Sequence, residues 1–70
     1  METNTLFNNA LKAHQKGDLI TAKRIYRQLL GIEPNHAGSW MNLGLIYQSL
    51  GETNKAHTAM QQAAELAPHQ

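Results

Sequence analysis

Gly17 and Gly51 stand 34 positions apart, and so do Ala22 and Ala56, and Pro34 and Pro68. A turn glycine, a small residue and a terminal proline returning at one period mark two copies of one supersecondary unit, and this restricts the fold more than any other feature of the chain. The same shift pairs Asn8 with Asn42, Leu11 with Leu45 and Gln28 with Gln62, and sets Asp18 against Glu52 and Thr5 against Ser39.

Within each unit the apolar residues follow a helical period twice. Trp40, Leu43, Ile46, Tyr47 and Leu50 recur at steps of three and four, as one face of a helix requires. Gly51 ends that helix, because glycine adopts the left-handed conformation without a Cβ penalty. Glu52, Thr53 and Asn54 follow as candidate caps, and Ala56, Ala59, Met60, Ala63, Ala64 and Leu66 form the next stripe, which Pro68 stops. The first unit repeats the plan, with Leu6, Phe7, Ala10, Leu11 and Ala13 before Gly17-Asp18, then Leu19, Ala22, Ile25, Tyr26, Leu29, Leu30 and Ile32 before Pro34. Asn35 is placed to cap the third helix. The expectation is an all-α domain of four helices near 4–16, 19–32, 37–50 and 54–67, arranged as two antiparallel helix-turn-helix hairpins. Ala10, Gly44, Ala22 and Ala56 are small where the two helices of a hairpin approach closely, while Trp40, Leu43, Tyr47 and Met60 fill the space around those contacts.

A unit of this length with Trp40-x-x-Leu43-Gly44-x-x-Tyr47, then Ala56, Met60, Ala63 and Pro68, resembles the tetratricopeptide repeat. The resemblance spans nearly the whole chain as one domain, 1–70, with a degenerate first repeat, 3–36, and a second, 37–70, near the consensus. The first keeps Ala22, an aromatic at Tyr26 and Pro34, but has Leu6, Asn9, Ala10 and Ala13 where the family has tryptophan, leucine, glycine and tyrosine. In the second, Met60 stands where the family usually has an aromatic. The resemblance implies an α-solenoid whose concave face is lined by the first helix of each repeat and receives a segment of another protein. Its inner-face positions are Asn4, Phe7, Leu11, His14 and Gln15, followed by Gly38, Met41, Leu45, Gln48 and Ser49. Phe7, Leu11, Met41 and Leu45 would form an apolar strip there, suited to an amphipathic helix or an extended hydrophobic segment. Family members that clamp the carboxyl terminus of chaperones carry Lys and Asn at two of these positions; Phe7 and Leu11 occupy them here, which excludes a dicarboxylate clamp of that design.

Repeat units do not bury their faces alone. With two units and no capping helix after Pro68, the outer flank of the last helix is expected to expose part of Ala56, Ala59, Ala63, Ala64 and Leu66. The 70 residues then either belong to a longer array or associate with a second copy, most simply as a twofold dimer. The strip itself has two readings, a groove for a partner and a contact with copies of the chain.

Chemistry finds little purchase. There is no cysteine, hence no disulfide framework or thiolate nucleophile. The histidines at 14, 36, 57 and 69 never fall three or four residues apart, so no helical turn presents a ready metal pair. No nucleophile elbow, phosphate loop or dinucleotide fingerprint occurs, and the carboxylates are scattered. The expectation is a non-catalytic chain with no cofactor and no metal. Six Lys and Arg against five Asp and Glu leave a net charge of +1, which argues against a general polyanion binder. Lys23, Arg24 and Arg27 cluster on the outward face of the second helix, but no aromatic interleaving or groove-reading motif accompanies them, so nucleic acid is not the expected partner. No apolar run reaches the ~18 residues of a membrane span, and the amino end has no secretory pattern, so cytoplasm is the default location. The expected function is protein–protein interaction by a concave, partly apolar groove, with self-association. The alternatives are a repeat appendage of a larger enzyme, selecting its substrates or dimerising it, and a purely structural assembly unit.

Overall fold

Two turns of identical construction organise the chain. In the computed structural model, which describes residues 2–67, Gly17 and Gly51 take φ values of 83° and 79°. At the first turn the Gly17 N–H bonds to the His14 carbonyl and the Asp18 N–H to the Ala13 carbonyl; at the second, Gly51 bonds to Gln48 and Glu52 to Tyr47. This is the paired closure of a Schellman motif, satisfying the last carbonyls of each helix. Four helices result: α1 (Glu2–Gln15), α2 (Leu19–Ile32), α3 (Ala37–Ser49) and α4 (Thr53–Leu66). They start and end within two residues of the positions expected from periodicity. Pro68 and His69 lie outside the described residues.

Asp18 and Glu52 each close one helix and open the next, but by different means. The Asp18 carboxylate accepts a hydrogen bond from the Thr21 N–H at 3.2 Å and caps α2. Glu52 occupies the corresponding N-cap position of α4 without a side-chain cap bond, so neither Thr53 nor Asn54 is the cap; its carboxylate instead meets Lys55 at 3.3 Å and Lys23 of α2 at 3.8 Å. The expectation that Asn35 caps α3 is corrected as well. His36 is the N-cap, its Nδ1 accepting from the Ser39 N–H at 3.1 Å and lying 2.8 Å from the Ser39 hydroxyl. The register moves by one residue because the His36 ring also packs on Phe7, centroids 5.0 Å apart.

α1 and α2 form one hairpin and α3 and α4 the other, and α2 packs on α3 to join them. Small residues set the crossings: Ala10 and Ala22 have no exposed surface, and a β-carbon on Gly44 would lie 2.7 Å from the Met60 Cγ and 3.4 Å from the Ala56 carbonyl oxygen. One apolar cluster runs from Ala10, Ala22 and Tyr26 through Leu30 to Leu43, Ile46, Tyr47 and Ala59, so the two repeats share a core. The Cα radius of gyration, 11.3 Å, equals the ~11 Å of a compact domain of this length. Ala56, Ala59 and Ala63, expected on an exposed outer flank, are only 5%, 1% and 2% exposed. A methyl side chain is short enough for α4 to sit tightly on α3, and these three lie inside that seam. Of the expected flank, Ala64 alone is fully on the surface, with Leu66 half-buried. Ile32, expected on the buried stripe of α2, is 50% exposed in its last turn.

Candidate functional site

The residues expected on an inner face recur at three- and four-residue steps, which sets them along one side of α1 and one side of α3. Asn4, Gln15, Gln48 and Ser49 are exposed, His14 is half-buried, and Gly38 is exposed at the start of α3. Met41 and Leu45, one turn apart, are 43% and 42% exposed and so form a contiguous apolar pair rather than isolated side chains. Phe7 and Leu11, their counterparts on α1, are half-buried.

Phe7 is the hinge point of this face. Its ring meets Tyr26 edge-on, centroids 5.9 Å apart at 64°, and His36 at a tilt of 49°. A β-carbon on Gly38 would touch the Phe7 ring at 3.7 Å, which is ordinary van der Waals contact. Phe7 therefore ties α1 to the start of α3, and only part of its ring is available to anything outside. Sequence periodicity puts Phe7 in line with Leu11 on α1 but does not reveal its share in the core.

Below the face, the repeat junction is held by polar contacts that leave no buried polar side-chain atom unpartnered among the described residues. Asn42 donates its amide to the Tyr26 hydroxyl at 3.0 Å, across the α2–α3 interface. Burial of Tyr26 pushes its phenol above the ordinary range, and the Asn42 hydrogen bond offsets this in part. The Trp40 indole N–H donates to the Pro34 carbonyl at 2.8 Å and fixes the start of α3 to the preceding link. Thus the terminal proline of the first repeat and the tryptophan that follows it in the second, six residues apart, are joined by one hydrogen bond.

On the other side of α3 lies a depression of about 350 Å³ between α2 and α4. Trp40 and Tyr47 line it from α3, Arg27 from α2, and Asn54, Lys55, Thr58 and Ala59 from α4. It continues along α2 past Leu30 and Gly31. Sequence reading placed Lys23, Arg24 and Arg27 together, which the structure bears out along one face of α2, but gave no hint that Arg27 faces α4. That meeting is long-range and leaves no local pattern.

Among the described residues no three His, Cys, Asp or Glu side chains come together as a metal site, and no helix is long and apolar enough to cross a membrane. Two models of the tetratricopeptide repeat match the chain, one over residues 6–36 and the other over residues 37–70. No curated protein matches it to a significant degree.

Proposed function

The chain belongs to the tetratricopeptide repeat family, whose members are generally protein–protein interaction modules, and on that premise we propose that it acts without chemistry of its own, receiving an apolar segment of a partner protein on the face formed by α1 and α3. The observation that supports this most is the pair Met41 and Leu45, which stay about two-fifths exposed on a helix that buries Leu43, Gly44, Ile46 and Tyr47 beside them. Beside them Phe7 and Leu11 extend the apolar surface onto α1 at the same repeat positions, and Asn4, Gln15, Gln48 and Ser49 supply a neutral polar rim. An apolar centre with a polar border is the composition of a recognition patch. A rigid shared core under the strip lowers the ordering cost of binding.

Selection of peptides from a random display library on the immobilised chain, followed by titration of the winners, tests the assignment. Met41→Asp with Leu45→Asp should weaken them by about tenfold or more, the loss expected when a central apolar contact is replaced by charge. Unchanged helicity by circular dichroism would certify the fold of the variant, because both side chains are exposed. Equal affinities for wild type and variant would move the binding face elsewhere. A second copy of the chain is the competing occupant. Light scattering across a dilution series reads it directly, and a dimer that the same two substitutions dissolve would turn the strip into a self-contact.

A further inference from the structure

Positive charge is concentrated on the side of the molecule opposite the proposed α1–α3 face. Four of the six basic residues, Lys23, Arg24, Arg27 and Lys55, lie around the depression between α2 and α4 and its continuation along α2, against two acids, Glu52 beside Lys23 and Lys55 and Asp18 near Arg24. Glu52 is already shared, at 3.3 Å from Lys55 and 3.8 Å from Lys23. Lys55 also stands 5.8 Å above the Tyr47 ring. Arg27 makes no ion pair or hydrogen bond among the described residues, although it borders the depression directly. A local excess of two positive charges on a chain of net +1 leaves the remainder of the molecule net negative. The groove is thus distinguished by charge as well as by shape.

Its floor is aromatic. Trp40 is half-buried with its N–H committed to the Pro34 carbonyl, and Tyr47 is 8% exposed. Trp40, Leu43 and Tyr47 project about 130° around α3 from Met41, Leu45 and Gln48, counting ~100° per residue. The two surfaces are therefore separate. A volume of about 350 Å³ sits at the small end of the ~300–1,000 Å³ range of ligand clefts. It accommodates one bulky side chain rather than a row of them.

We propose that the α2–α4 groove is a second recognition site, which takes an acidic peptide segment bearing one bulky apolar anchor. The anchor packs on Trp40 and Tyr47, and flanking carboxylates reach Arg27 and Lys55, where guanidinium and ammonium donors make charge-assisted hydrogen bonds. Single-stranded nucleic acid fits less well. It requires open aromatic faces on which successive bases stack, whereas both rings here form the floor of a groove.

Trp40 is the only tryptophan of the chain, so its fluorescence reports on this groove. The probes are short peptides with a central Phe, Trp or Leu flanked by Glu, the same peptides flanked by Lys, a Glu-only peptide and oligothymidylate. Glu-flanked Phe and Leu peptides should shift the Trp40 emission saturably; the Trp peptide is followed by a fluorescein label. Affinity should weaken with added salt and fall about tenfold or more in Arg27→Glu and Lys55→Glu, each an exposed position, because the change replaces a charge-assisted hydrogen bond by like-charge repulsion. Met41→Asp with Leu45→Asp should leave it unchanged, which keeps this test distinct from that of the opposite face. Failure of every Glu-flanked peptide to bind would overturn the proposal, as would equal binding by the Lys-flanked set, indifference to Arg27→Glu, or tighter binding of oligothymidylate.

Discussion

At Gly44 the two helices of the second hairpin are as close as the backbone permits, because a side chain there would collide with Met60 before reaching any open space. Alanine improves the intrinsic helix propensity by about 0.5–1 kcal/mol, yet its β-carbon must displace the Met60 Cγ 2.7 Å away. We expect Gly44→Ala to be near neutral or mildly destabilising and Gly44→Leu to cost about 1–3 kcal/mol or more, since only the larger side chain forces the helices apart. Urea unfolding midpoints measure both. The Gly44→Ala cost should shrink in a Met60→Ala background, and a cost that stays the same would place the strain elsewhere. Gly31 offers the opposite case. A β-carbon there meets nothing within 4 Å, so Gly31→Ala should add about 0.5–1 kcal/mol and raise Tm by about 2–8 °C, read by thermal circular dichroism. Residues of this kind were the most legible in the sequence. Gly17, Gly51, Ala10, Ala22 and Gly44 announce themselves because their reasons are local, a left-handed φ or a close crossing that recurs at a fixed offset.

For the elements, the start of α2 carries the clearest electrostatic consequence. Hydrogen bonding from the Thr21 side chain, and then from its backbone N–H, holds the Asp18 carboxyl below the ordinary aspartate range, with Arg24 and Lys16 adding smaller attractions. A folded pKa below the unfolded one means that the unfolded chain takes up the proton first. Stability from this cap is therefore complete above the ordinary aspartate pKa and is lost as pH falls through the depressed one. Asp18→Asn keeps a capping side chain but should flatten that acid limb of the stability–pH curve, and an unaltered limb would assign the acid sensitivity to other carboxylates. Caps were also where sequence reading slipped. Asn35 is the better cap by propensity, but His36 wins the position through its packing on Phe7 and its bonds to Ser39. The alanines of α4 slipped for a related reason. A period of three and four residues identifies an apolar face without saying whether a partner helix of the same chain will cover it, and for Ala56, Ala59 and Ala63 α3 does. The α2–α4 groove lies further still from local pattern, since Arg27 and Lys55 meet around it only once α3 has set the two hairpins side by side.

The whole molecule is built on one core, because the apolar cluster passes from the first repeat to the second through Tyr26, Leu30, Leu43 and Tyr47, and we expect it to unfold as a unit. Truncating Leu30, 8% exposed at the junction, should cost about 2–5 kcal/mol and lower a single melting transition seen alike by far-ultraviolet circular dichroism and Trp40 fluorescence. Divergence of the two signals would mean that the repeats melt independently. Alkaline pH attacks the same junction. Burial raises the Tyr26 phenol pKa, so the unfolded chain releases that proton first, and stability present below the ordinary tyrosine pKa declines as pH rises through the folded one. Tyr26→Phe should weaken that alkaline decline, while losing the hydrogen bond from Asn42.

The three-residue links at Lys16–Asp18 and Leu50–Glu52 have a consequence for how such a chain changes over generations. Each link assigns its last residue to two helices at once, and both use their glycine at the same left-handed φ. Inserting one codon into either helix would swing everything beyond it by ~100° and uncouple the seam. A change of helix length therefore breaks the packing, whereas duplication or deletion of a whole 34-residue cassette preserves it.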